Sequence, residues 1–160
     1  MSDTQILNDL LHTAHTRLLN EEELEKLNSV NGGLAEFIGL TFDRVGPTEA
    51  RARLTVTSQH HQPWGVANGG LYCTIAETVA SIASVAAADA PAMGVNNSTD
   101  FIKATGEGEL EAVATPIQLG TRTHVWSVEM RQGDTLIART TLRTMIMDCL
   151  LYTSPSPRDS

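Results

Sequence analysis

Leu71–Ala88 constrains this chain most: an unbroken apolar stretch, rich in alanine, that carries one charged residue, Glu77. Leu71 to Ala88 reads as a single helix apolar on most sides, and Ala90-Pro91 ends it, because the residue before a proline avoids helical geometry. Eighteen residues is close to a membrane span, but Glu77 sits mid-segment among Thr and Ser, which argues for a soluble core helix instead. Such a helix must be covered by something. The flanking sequence supplies strands: Arg51–Thr57 alternates polar and apolar, and Gly94–Ile102, Leu110–Gln118, Thr123–Gln132 and Leu136–Met147 follow, separated by Gly106-Glu107-Gly108, Gly120 and Gly133-Asp134. One long helix inside an antiparallel run predicts an α+β fold with the helix laid across the concave face of a curved sheet.

The rest of the 160 residues divides around this domain. Ile6, Leu7, Leu10, Leu11, Ala14, Leu18 and Leu19 recur at helical spacing, and Asn20 ahead of Glu21-Glu22-Glu23 reads as the cap of a second helix stopped by Asn31-Gly32-Gly33. Residues 1–32 are therefore expected to be a helical extension packed on the domain or on a neighbour, and residues 33–148 the domain. From Cys149 to Ser160 all periodicity is lost, and this stretch reads as a non-native tail, translated from a sequencing adapter. Eleven basic against nineteen acidic residues leave a net charge of −8, which argues against nucleic acid or an anionic membrane as partner. The N-terminus lacks a basic stretch and apolar run, and only Cys73 and Cys149 are present, so a cytoplasmic protein without a disulfide framework is expected.

Candidate chemistry gathers around the helix. Glu77 is the only formal charge between Leu54 and Ala88, and burial there would favour its protonated form unless it faces a polar cavity or acts as base or nucleophile. Asn68-Gly69-Gly70 opens the helix, where first-turn N–H groups lack internal acceptors and suit a carbonyl oxygen that gains charge in acyl transfer. Glu77 lies eight residues beyond Gly69, roughly 12 Å along the axis. If both act on one carbonyl, Glu77 must come from a second subunit, which predicts a dimer with two equivalent interfacial sites. His60-His61 make a poor metal pair, His12 and His15 lack the partners of a zinc set, and Cys73 reads as a small buried apolar residue. No Gly-x-Ser-x-Gly elbow, phosphate loop or dinucleotide fingerprint is present.

Two segments carry a resemblance. His61-Gln62-Pro63-Trp64-Gly65-Val66-Ala67-Asn68-Gly69-Gly70 followed by Ala76-Glu77-Thr78-Val79-Ala80-Ser81 resembles the hotdog-fold acyl-CoA thioesterases of the phenylacetate-degradation (PaaI-like) type. Ser98–Ala104, Gln118–Thr123 and Gly133–Ala138 are similar to later segments of that family, and the likeness runs from about Gly33 to Met147. In spacing it is nearest to enzymes that cleave hydroxybenzoyl-CoA and related aryl-CoA thioesters. The resemblance implies that Gly69 N–H polarises the thioester carbonyl and Gln62 orients it. Glu77 of the partner subunit would act as nucleophile or general base, with Ser81 positioning it or the water. Asn68 stands where the family often has His; in the catalytic set it is expected to hydrogen-bond the carbonyl or a loop, and it cannot serve as a histidine acid at the leaving group. Gly70, Lys103, Thr121 and Arg122 complete the candidate substrate-binding set, Arg122 as a phosphate contact. The implied assembly is a dimer or tetramer, with no cofactor beyond the coenzyme A of the substrate. The implied activity is hydrolysis of an aromatic or medium-length acyl-CoA. A hotdog enoyl-thioester hydratase and a non-catalytic acyl-CoA binding module are the alternatives.

Overall fold

The computed structural model describes residues 1–147; the expected non-native tail and Cys149 lie outside the described residues. In chain order the elements are α1 (Asp3–Ala14), α2 (Glu21–Val30), α3 (Leu34–Ile38), β1 (Thr41–Val45), β2 (Ala50–Val56), α4 (Gly69–Ala88), β3 (Ala92–Phe101), β4 (Gly108–Leu119), β5 (Thr123–Gln132) and β6 (Thr135–Ile146). The six strands form one antiparallel sheet in the order β1-β2-β4-β5-β6-β3. Helix α4 packs against it, and this is the hotdog architecture.

Small residues make that packing close. Ala76, Ala80, Ala83 and Ala86 are fully buried on α4, so the helix axis approaches the sheet while Leu54, Leu110, Trp126, Val128 and Leu142 fill the space from the strands. The helix begins at Gly69, two residues ahead of the expected Leu71, because Asn68 caps it. It ends at Asp89, which adopts left-handed geometry just before Pro91.

The N-terminal helices belong to the same core: Leu10, Leu11, Ala14 and Leu27 are buried in it. Helix α1 stops at Ala14, before Leu18 and Leu19, so the apolar stripe read as one helix is split; Leu18 is exposed, while Leu19 joins the core from the loop, its N–H donating to the Val45 carbonyl. His15 donates to the Ala86 carbonyl and His12 pairs with Asp89 at 2.7 Å, which ties α1 to the end of α4. Helix α2 starts at the expected Asn20, in a reciprocal capping box with Glu23. The Arg17 guanidinium bonds both Glu23 oxygens and, with the Asn20 N–H, holds that carboxyl down at about 2. The short helix α3 has no counterpart in the sequence reading. Its five residues are too few for a periodic signal.

The two sheet edges are treated differently. On edge strand β1, the Asn28 side chain of α2 donates to the Phe42 carbonyl and accepts from the Phe42 N–H, both at 2.8 Å. Among the described residues, edge strand β3 is hydrogen-bonded only to β6, and most of it is exposed, including Met93 (52%) and Val95 (47%). An exposed edge of this kind is a template for a further strand.

Two histidines set opposing pH responses. Burial holds the His124 imidazole below its usual range, whereas the Asp89 carboxylate raises that of His12. As pH falls below about 6.5 the unfolded chain takes up a proton that folded His124 resists, so stability drops; the His12 contribution is fully present below about 6.5 and is lost as pH rises from there through its raised value. Urea unfolding at pH 7.5 and 5.5 checks both signs: the loss on acidification shrinks in His124→Gln and grows in His12→Ala.

Candidate active site

The loop before α4 is built to present its N-terminus. His60 accepts the Thr57 N–H at Nδ1 and donates from Nε2 to the Ile38 carbonyl, and His61 donates to the Gly106 carbonyl at 2.7 Å. Both histidines are therefore loop struts, as expected, and among the described residues no group of three or more metal-ligating side chains gathers. Asn68 N–H donates to the His60 carbonyl, and Ala67 N–H to that of Thr105. The Gln62 Oε1 accepts from Trp64 N–H, which fixes the amide and leaves its NH2 group free to donate outward.

At the helix start, Asn68 Oδ1 accepts from Gly70 N–H at 2.7 Å. This makes Asn68 a cap and takes the Gly70 donor out of play. Gly69 N–H has no acceptor among the described residues and points out of the first turn. Gly69 and Gln62 share a cleft of about 290 Å³ with Tyr72, Phe101, Ile102 and Lys103. A methyl group added to Gly69 would collide with the Phe101 ring, so glycine is required for that ring to lie against the helix start. Tyr72 is buried with its hydroxyl unpartnered, beside Phe101 at 5.9 Å between ring centroids.

Glu77 lies elsewhere. Its side chain is exposed in the chain and faces an open polar cleft over edge strand β3, one of the alternatives that the sequence left open. It lines a second cleft of about 400 Å³ with Cys73, Thr74, Gly94, Asn96 and Asn97. Cys73 is half-buried on this open face, not a buried core residue, and its carbonyl accepts from Asn97 Nδ2 at 2.9 Å. Ser81 follows one turn beyond Glu77 and is half-buried. The polar stripe Cys73, Thr74, Glu77, Thr78 and Ser81 is the sequence signal that marks this face as open.

The candidate residues thus fall into two groups on one chain: Gln62, Gly69 and Lys103 at one end of β3, and Glu77 with Ser81 toward the other. Gly94 and Phe101, seven residues apart on β3, mark the two clefts, roughly 23 Å of strand. Thr121 and Arg122 are exposed in the β4–β5 turn, in line with the Glu77 end and away from Lys103. Gly94, Asn96, Asn97, Tyr72 and Phe101 were not singled out from the sequence. A capping role for Asn68 has its own signature: Asn68→Ala loses about 1 kcal/mol of stability in chemical denaturation, and Asn68→Ser or Asn68→Asp keeps most of it.

Comparison with known proteins agrees with this architecture. Residues 65–138 match the family model of the thioesterase superfamily. Rv1847 of Mycobacterium tuberculosis, which bears an esterase name, is 36% identical over 112 residues, 66% of this chain and 80% of its own; its structure has a TM-score of 0.71. The 1,4-dihydroxy-2-naphthoyl-CoA hydrolase of Escherichia coli is 28% identical over 110 residues, 67% of this chain and 81% of the enzyme. The Escherichia coli PaaI protein, 19% identical, shares the fold with a TM-score of 0.74 over 86% of this chain and 96% of PaaI. The chain belongs to the thioesterase superfamily, with the hotdog fold of its PaaI-like members, and is a thioester hydrolase.

Proposed function

We propose that the protein hydrolyses an aromatic or medium-length acyl-CoA to the free acid and coenzyme A, at sites shared between two copies of the chain. The observation that carries this reading is the separation of Glu77 from Gly69 and Gln62 on one helix, with Glu77 exposed beside the unprotected edge strand β3. Pairing two β3 edges about a two-fold axis would cover Met93 and Val95 and bring α4 of each copy alongside the other. Each Glu77 then faces the partner's Gly69 cleft. The contrast with β1, whose edge Asn28 closes, supports β3 as the edge kept for association.

In this arrangement the thioester carbonyl oxygen accepts from Gly69 N–H at the positive end of α4, with the Gln62 amide as the second donor. Glu77 either draws a proton from water that attacks the carbonyl carbon, or attacks it directly to give an anhydride that water opens. In both, the carbon–sulfur bond breaks and coenzyme A leaves as the thiolate, which then takes up a proton. Ser81 sits one turn from Glu77, suited to hold the carboxylate or the water. Lys103 in the Gly69 cleft and Arg122 in the β4–β5 turn are candidate contacts to the anionic coenzyme A, and Gly70, its N–H held by Asn68, shapes the entrance. The aryl-CoA hydrolase among the relatives supports an aromatic acyl group, and the apolar ring of Phe101 beside Gly69 offers it a surface.

Free-thiol release across an aromatic and aliphatic acyl-CoA panel tests the chemistry: Glu77→Ala is expected to lose about 100- to 10,000-fold in turnover while staying folded. Unchanged turnover reassigns the base. Mixing Glu77→Ala with Gln62→Ala chains tests the shared site, because the mixed dimer regains one intact site and activity that neither variant has alone. A stable, active monomer in sedimentation would sink it.

A further inference from the structure

Glu77 rests on a glycine. A Cβ built on Gly94 would stand 3.1 Å from Glu77 Oε1 and 3.4 Å from its Cγ, so the carboxylate end of the side chain lies over a bare backbone. Gly94 does not have a positive φ, so its backbone geometry does not demand glycine; a methyl group there would instead press on the Glu77 carboxylate and displace it by a few tenths of an ångström.

Beneath Gly94 runs one cross-strand row. Gly94 pairs with Thr144 on β6, and Thr144 pairs with His124 on β5, so all three face α4. On α4, Ser84 follows Glu77 by seven residues, about two helical turns along the same side. Its Oγ lies 2.7 Å from His124 Nδ1 and 2.7 Å from Thr144 Oγ1. Ser84 and Thr144 are wholly buried and His124 is 3% exposed. With neutral His124 accepting at Nδ1, Ser84 O–H donates to the ring and Thr144 O–H donates to Ser84, which links the three side chains in one orientation.

Apart from Ser84, α4 buries Ala76, Ala80, Ala83 and Ala86 together with Leu71, Tyr72, Ile75, Val79 and Ile82, and apolar contacts of this kind are not directional. Hydrogen bonds are directional. We propose that the Ser84–Thr144–His124 cluster and Gly94 together form a positioning seat for the Glu77 carboxylate: the cluster sets the rotation and height of α4 over the row, and Gly94 supplies the room. Ser84, Thr144 and His124 are buried beneath the cleft while Gly94 lines it beside Glu77, and the inference rests on the proposed role of Glu77.

The test is steady-state thiol release with the best acyl-CoA of the panel, with thermal unfolding measured alongside, for wild type, Gly94→Ala, Thr144→Val, Thr144→Ser and Glu77→Ala. Gly94→Ala and Thr144→Val are each expected to lower kcat about 10- to 100-fold with KM within about twofold, since the carboxylate is misplaced while the Gly69 cleft is untouched. Thr144→Ser keeps the hydroxyl and is expected to restore most of kcat. Wild-type kcat in either folded variant, with Glu77→Ala inactive, overturns the seat and leaves the catalytic reading standing. Full activity in Glu77→Ala overturns the catalytic reading itself. A loss that falls on KM as much as kcat, or a Thr144→Ser as impaired as Thr144→Val, assigns the cluster a purely structural role. Should Thr144→Val fail to fold, Gly94→Ala, which removes no hydrogen bond, carries the test.

Discussion

Everything in this protein is arranged around covering α4. A twenty-residue helix with ten buried residues cannot stand in water, and a single flat sheet would cover only one side of it. The six strands curve about it, and α1 and α3 close on parts that the sheet leaves open. What remains uncovered is then informative: the Cys73–Glu77–Ser81 stripe beside β3 and the first turn at Gly69. The fold spends its small residues on close helix–sheet approach, and its two clefts open where that approach ends.

The same constraint explains how much of the fold was legible. Helix α4 and strands β2 to β6 could be read to within about two residues, because a long apolar run and period-two alternation are strong signals bounded by Gly and Pro. The capping box at Asn20 and Glu23 was legible for a local reason, since side chain and backbone partners are three residues apart. Helix α3 was not, being five residues long. The break in the α1 stripe at Ala14 was invisible because Leu19 reaches the core from a loop bonded to β1 at Val45 and not through helical phase.

For the site, residue types were legible and their surroundings were not. Glu77 stood out as a lone charge, but its isolation alone left a buried site and a polar cavity both open; the neighbouring Thr74, Thr78 and Ser81 describe a polar face. Gly94 carries no chemistry of its own, and its fit under Glu77 exists only once β3 is laid beside α4. The Ser84, Thr144 and His124 side chains lie 40 and 60 positions apart along the chain, joined only by the sheet. Long-range polar clusters of this kind leave no spacing to read.

The departure at Asn68 bears on mechanism through the chemistry of the leaving group. An ester or amide must shed a strongly basic oxygen or nitrogen and needs a proton donor to do so. A thiol has a pKa of about 8.5, so the coenzyme A sulfur departs as a thiolate near neutral pH with little to gain from a general acid. The larger barrier is the negative charge on the carbonyl oxygen during attack, where one well-placed N–H is worth about 3–4 kcal/mol. In the proposed reaction Asn68 serves that step indirectly. By taking up the Gly70 N–H it holds the first turn of α4 in register, so that the remaining free donor, Gly69 N–H, is fixed toward the cleft before substrate arrives. A histidine at this position would trade a firm cap for a proton the sulfur does not require.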